Sequence, residues 1–215
     1  MNNKVLKATV KINRFGDFRR FKMSFIATVL VILGFSAIAN ATEYVVDKAS
    51  SKVKWEAKKV TGKHDGSILF DNGSVSVNDN KISGGVFVIN MRSIVVEDIT
   101  DPGTNKKLLG HLLSDDFFSV DKFTESKLVI KKVTLVSGDE FQFTGDLTIK
   151  GITKPIEFNA KVTVNGDKLK AEGVITVNRT LYGIKYGSGS FFQGLGDKMI
   201  YDDFTLAFRV VAQKK

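Results

Sequence analysis

From residue 42 onward the chain alternates. Phe141, Phe143, Gly145, Leu147 and Ile149 fall on odd positions, with Gln142, Thr144, Asp146 and Thr148 between them. Period two marks a strand with one buried and one wet face, and a helix does not reproduce it. Ile156, Phe158, Ala160, Val162 and Val164 alternate with Glu157, Asn159, Lys161 and Thr163. Leu169, Ala171, Gly173, Ile175 and Val177 repeat the pattern, and Phe204, Leu206, Phe208 and Val210 end it. Weaker strand signals lie at 43–47, 51–60 with Val53, Trp55 and Ala57, 64–70, 74–77, 82–91 and 126–136.

Between these runs stand Asp71-Asn72-Gly73, Asn78-Asp79-Asn80, Ser137-Gly138-Asp139 and Asn165-Gly166-Asp167. Such residues tolerate the positive φ of tight hairpins, so the expected arrangement is an antiparallel meander. One helix is expected around 104–114, where Leu108, Leu109, Leu112 and Leu113 take helical spacing after the Asp101-Pro102-Gly103 turn. No linker or repeat divides residues 42–215, which read as one all-β domain.

Eight or more alternating strands must hide one face, by stacking two sheets or by closing one. The runs at 139–150, 153–164 and 167–178 would each extend about 35 Å at ~3.3 Å per residue, long for a sandwich. Strand length therefore argues for closure into a β-barrel, and an eight-stranded barrel can be filled by side chains or can hold one small ligand. Small residues at Gly145, Ala160, Ala171 and Gly173 suggest space was left among the phenylalanines. Periodicity alone fits a tapering, packed core equally well.

The formal charge of the chain is +9, which invites a nucleic-acid reading. Residues 1–41, however, hold Lys4, Lys7, Lys11, Arg14, Arg19, Arg20 and Lys22 against Asp17, leaving +3 for residues 42–215. A basic stretch, an apolar run from Phe25 to Ala39 and the tripeptide Ala39-Asn40-Ala41 read as a secretory signal cleaved after Ala41. The fifteen apolar residues would cover about 22 Å of a roughly 30 Å hydrocarbon core, short for a membrane anchor. Met23 is an alternative start, and Arg19-Arg20 matches a twin-arginine signal only weakly. The expected product is a periplasmic or secreted protein of residues 42–215, near charge balance and without a nucleic-acid partner.

Catalytic patterns are sparse. The chain has no cysteine and only His64 and His111, which are not spaced as metal ligands. Gly187-Ser188-Gly189-Ser190 has the wrong register for a nucleophile elbow and is not followed by the lysine of a phosphate loop. Asp115-Asp116 and Asp202-Asp203 are adjacent in sequence, which does not aim two carboxylates at one bond. No metal, cofactor or catalytic residue is expected.

The distinctive segment is Arg179-Thr180-Leu181-Tyr182-Gly183-Ile184-Lys185-Tyr186, running on to Phe191-Phe192. It is poor strand material and is expected to cover one barrel end. Arg179, Lys185 or Tyr186 would then meet a polar ligand head near the mouth, or Arg179 would bond carbonyls in a structural plug.

Taken in order, several blocks resemble the YceI-like family of exported polyisoprenoid-binding proteins. They are Tyr44-Val45-Val46-Asp47, Val53-Lys54-Trp55, Gly62-Lys63-His64-Asp65-Gly66, Gly85 to Ile94, Leu109 to Phe118, Gly145 to Pro155 and Arg179 to Tyr186. The resemblance implies an elongated eight-stranded antiparallel β-barrel of lipocalin-like shape in a periplasmic protein, with a long apolar chain in its interior, and it favours an open cavity. It implies binding rather than a reaction. The segment around Asp98 to Asn105 departs from the pattern by lengthening the connection into the helix.

A lipid carrier of this kind would thread a polyisoprenoid, fatty-type or other long-chain ligand along Phe141, Phe143, Leu147, Ile149, Phe158, Phe204, Leu206 and Phe208. Trp55 joins these as a candidate contact, with Arg179 and Tyr186 at the mouth. The alternatives are a barrel enzyme acting on an isoprenoid-type substrate with His111, His64 or Tyr186 as acid–base group, and a structural envelope-stress protein. A homodimer could form through an edge or rim, although no exposed apolar stripe marks one.

Overall fold

The computed structural model describes residues 41–215. The expected export signal falls, Ala41 apart, outside the described residues. The elements are β1 (Thr42–Val46), β2 (Lys52–Lys59), β3 (Gly62–Asn78), β4 (Lys81–Val96), α1 (Pro102–Leu113), β5 (Glu125–Ser137), β6 (Glu140–Ile149), β7 (Ile152–Asn165), β8 (Lys168–Asn178) and β9 (Ile200–Lys214). All pairings between these strands are antiparallel, and the sheet closes because β1 and β2 both bond β9 on one side and β3 on the other. The two short strands follow one another in the same direction, so nine segments fill eight positions. The eight-stranded barrel read from the sequence is thus the observed one. β7 and β8 pair only over 160–165 and 168–173, so the remaining halves of these two strands part, and the described residues form one compact unit.

The break between β1 and β2 is stitched by one side chain. Asp47 N–H donates to the Val211 carbonyl at 2.8 Å, the Ser51 hydroxyl donates to the same oxygen at 3.2 Å, and it accepts from Val211 N–H at 3.0 Å. Ser51 is buried, so its hydroxyl replaces a ladder partner the excursion removed.

Asn78-Asp79-Asn80, Ser137-Gly138-Asp139 and Asn165-Gly166-Asp167 form hairpin tips as expected. Asp79 and Asn80 take φ of 47° and 59°, the conformation of a two-residue hairpin turn. Asp71-Asn72-Gly73 does not turn. β3 runs straight through it, with a register shift against β4 between Phe70 and Asn72. Ladders on both flanks of β3 outweigh the turn preference, and the extra residue becomes a bulge. A Cβ at Gly73 would stand 2.8 Å from Val46 Cγ2, so the glycine serves close packing.

The helix starts earlier than its leucine spacing suggests. Asp101 caps it, accepting from Thr104 N–H at 2.7 Å, and Pro102 lies in the first turn. The expected Asp101-Pro102-Gly103 turn is therefore the helix's own beginning. In the lengthened segment, the Asn105 amide donates to the carbonyls of Val96 and Ile99, holding the connection against the end of β4.

The two barrel ends differ. At the far end the Tyr44 hydroxyl donates to the Gly166 carbonyl at 2.8 Å, beside fully buried Leu169 and Ala212. The opposite end, the mouth, carries the tight β2–β3 and β6–β7 hairpins. It also carries both long connections, residues 97–124 with α1 and residues 179–199, because β4 and β8 run toward it while β5 and β9 leave from it. Leu109, Leu112 and Leu113 of α1 pack onto Val53, Phe70, Met91 and Ile94. Tyr182 and Ile184 of the second connection, here called the strap, pack onto Leu147, Ile149, Ile175 and Val177.

Candidate ligand-binding cavity

The inward residues do not fill the barrel. A cavity of about 190 Å³ runs from Val75, Val162 and Leu169 near the far end to Ile149, Ile184 and Ile200 under the strap. Along β9 alone the lining extends from Ile200 to Val210, about 30 Å at ~3.3 Å per residue.

Of the residues expected to meet a ligand, Trp55, Phe143, Leu147, Ile149, Phe158, Phe204, Leu206, Phe208 and Arg179 line this cavity. Phe141 and Tyr186 are not among the lining residues. Phe141 packs against the far-end core, its ring 6.4 Å from that of Phe143. Phe143 stacks on Phe158 at 5.4 Å with planes 12° apart, and Phe158 stands edge-on to Phe208 at 5.9 Å, fixing the waist of the cavity. The Trp55 indole donates to the Val95 carbonyl at 3.1 Å, and a Cβ on Gly66 would fall 2.8 Å from its ring.

The small residues divide by role. Ala160 and Ala171 line the cavity and leave volume. Gly145 and Gly173 serve close approach instead: their Cβ atoms would come within 2.5 Å of the Val129 carbonyl and 2.8 Å of the Asn159 carbonyl.

Leu112, Phe117 and Phe118 close the mouth from the helix side and belong to the lining, which sequence reasoning missed. A leucine-rich helix followed by two phenylalanines was the available signal, since such a surface must bury against something.

Few polar groups face the cavity, and they are engaged. The Ser126 hydroxyl lies 3.0 Å from Met91 Sδ. Lys127 alternates with inward Ser126 and Leu128, which sends its side chain to the wet face. Arg179 is 4% exposed, and its guanidinium donates to the carbonyls of Tyr201 (3.1 Å), Ile184 (2.9 Å), Tyr186 (2.8 Å) and Ile200 (3.0 Å). Its Nη2 also lies 3.5 Å from Asp202 Oδ1. Burial pushes Arg179 below the ordinary arginine value, opposed by Asp202. Burial pushes Asp202 up, but hydrogen bonds from Ser188 and Ser190 and the charge of Arg179 together hold it below the usual aspartate value. Arg179 pins the strap to the start of β9.

The three residues considered for acid–base work stand outside the lining. His64 Nδ1 is 2.8 Å from Asp98 Oδ2 at the rim, where Asp98 also accepts from Asp65 N–H. His111 on α1 lies edge-on to Tyr186 of the strap and to Phe117. Among the described residues no group of three His, Asp or Glu side chains is placed to hold a metal ion.

The YceI-like domain model matches residues 44–212. A UPF0312 protein of Staphylococcus aureus strain USA300 is 32% identical over 153 residues, 67% of this chain and 84% of the relative. One of Pseudomonas putida strain W619 is 35% identical over 91 residues, covering 40% and 47%. Among solved structures, Burkholderia cenocepacia BcnA superposes with a TM-score of 0.64 at 23% identity, covering 78% of this chain and 99% of that one. A polyisoprenoid binding domain from Saccharophagus degradans gives 0.58 at 13% identity, covering 80% and 98%. Those two structures share the fold; the domain match over 44–212 and the Staphylococcus relative show that this chain belongs to the YceI-like family.

Proposed function

We propose that the barrel binds a long apolar chain, a polyisoprenoid or other long-chain lipid, and carries or stores it in the periplasm after cleavage of residues 1–41. The observation behind this reading is the cavity itself. At ~24 cal/mol per Å³, an empty volume of 190 Å³ forgoes on the order of 4–5 kcal/mol. That is a large share of the roughly 5–15 kcal/mol by which a domain is stable. A barrel with only a structural role gains by filling such a void, whereas a carrier must keep it.

Chemistry of the lining selects the ligand class. Apolar walls remove a tail from water at ~25 cal/mol per Å², less the cost of ordering it. With the inward polar groups already bonded, a head group has its place at the mouth rather than in the interior. The description of the Saccharophagus degradans domain as polyisoprenoid binding agrees with this class. His64, His111 and Tyr186 lie off the path of the chain, which favours binding over catalysis.

The test is mass spectrometry of an organic extract from protein purified out of its native host, beside titration of the delipidated protein with a fluorescent polyene fatty acid. A long-chain lipid in the extract and saturable uptake are expected. A clean extract together with no uptake would sink the proposal.

A further inference from the structure

We infer that the strap end of the barrel docks on a lipid bilayer, with Leu181, Phe191 and Phe192 entering the interface. The inference rests on the cavity reading and names the reservoir from which the ligand is taken.

Exposed apolar surface is unevenly distributed. Phe191 and Phe192 are 48% and 50% exposed, and every exposed aromatic side chain among the described residues, Tyr186, Phe191, Phe192 and Tyr201, lies within residues 186–201. Leu181 is exposed on the same strap, and Val60 and Ile152 are exposed on the two hairpins beside it. At the far end the exposed apolar residues Val45, Leu135, Val136 and Val164 are aliphatic and stand on strand walls, while the hairpin tips are Asp79-Asn80, Gly138-Asp139 and Gly166-Asp167.

The tip is held rather than loose. Phe191 and Phe192 N–H both donate to the Ser188 carbonyl, Ile200 N–H donates to Gly187, and Val60 N–H donates to Met199. Below it Arg179 binds the strap to β9. Two adjacent rings are therefore presented outward on a built turn, with little backbone left to order on docking.

The strap's own charge fits a bilayer with anionic lipids, while the acids of the 97–124 connection lie on the helix side of the mouth. Between Thr180 and Met199 the ionisable charges are Lys185, Lys198 and Asp197, and Lys150 tops the neighbouring hairpin. Lys185 Nζ sits 4.5 Å over the Phe191 ring, the mixed cationic and aromatic surface that suits the headgroup region. A protein groove would also take two phenylalanines, but exposed rings beside a lysine, on the strap whose Ile184 lines the apolar cavity, favour a bilayer.

The experiment is flotation of the barrel, residues 42–215, with vesicles of phosphatidylethanolamine and phosphatidylglycerol. Phe191→Ser/Phe192→Ser is expected to weaken partitioning by about tenfold or more while still taking up the polyene fatty acid from dispersion. Leu181→Ser should weaken it by less, and Leu135→Ser/Val136→Ser at the far end should leave it unchanged. Equal flotation of parent and double variant, or none by either, overturns the docking, and the second result is the one expected if the rings seat on a protein. If neither barrel takes up the fatty acid but only the parent floats, the docking stands and the cavity reading falls.

Discussion

The His111 ring stands edge-on to the Tyr186 ring, centroids 4.4 Å apart and planes at 89°. One residue belongs to the helix cover and the other to the strap, so this pair is where the two lids over the mouth meet. Phe117 completes the cluster, 4.9 Å from His111 and 5.9 Å from Tyr186. Such a contact is worth ~0.5–1.5 kcal/mol beyond area. A double-mutant cycle of His111→Ala and Tyr186→Ala, read by denaturant unfolding, should return a coupling in that range. Either single change should also speed release of a bound fluorescent lipid, since parting the lids no longer breaks the contact.

Arg179 acts through geometry that only a guanidinium supplies. Four carbonyls and one carboxylate converge on it. Arg179→Met would leave them unpaired and should cost ~3–5 kcal/mol in chemical denaturation. Arg179→Lys should recover only part of that, because three donors on a point charge cannot reach four separated oxygens.

The same pair predicts an acid sensitivity. Asp202 sits below the ordinary aspartate value of 3.8, so in this window the unfolded chain binds more protons than the folded one. Stability from the ionised carboxylate is fully present above that value and is lost as pH falls through the lower folded one. Asp47, Glu56 and Asp115 are shifted the same way, so the comparison must be internal. Asp202→Asn should be less stable than the parent at neutral pH, and the gap should close as pH falls below 3.8.

What could be read from the sequence follows from which forces are local. Period two exposes the wall strands because each outward residue meets water wherever it lies, and β6, β7, β8 and β9 match it closely. Asp71-Asn72-Gly73 misleads because its turn preference is overruled by two ladders that only the closed sheet provides. Ser51 carries no sequence mark of its role, since its partner Val211 lies 160 residues away. Arg179 was visible as a cation in an aromatic, glycine-rich run, yet whether it faces a ligand or carbonyls depends on how residues 184–201 fold back over it. The apolar walls of the site were legible; the helix-side lid of Leu112, Phe117 and Phe118 was not, because it enters the cavity from a connection rather than from an alternating strand.

Export should leave Thr42 as the first residue. β1 begins there, and Thr42, Glu43, Tyr44 and Val45 pair with β3 while Lys215 N–H bonds the Glu43 carbonyl. Cleavage after Ala41 keeps this ladder whole, whereas a cut several residues later would remove strand that helps seal the far end. N-terminal sequencing of protein from the periplasmic fraction is expected to read Thr-Glu-Tyr, and full-length chain retained in the cytoplasm would overturn the export reading.

Filling the cavity separates a carrier from a structural barrel. Ala171 lines the void, and Ala171→Leu adds three carbons there. With room available, each buried carbon contributes ~0.8 kcal/mol before strain, so the variant should be more stable by about 1 kcal/mol or more and should hold less lipid. In a tightly packed core the same change would overpack and destabilise by ~1–3 kcal/mol with no loss of uptake to observe. Phe143→Asp makes the complementary argument. Its carboxylate would stand at the stacked waist beside Phe158, where a passing alkyl chain would have to share space with a charge. Uptake should vanish even under conditions where circular dichroism shows the barrel still folded. Gain of stability with loss of ligand in the first variant, and loss of ligand without loss of fold in the second, is the combination that a barrel kept open for an apolar chain requires.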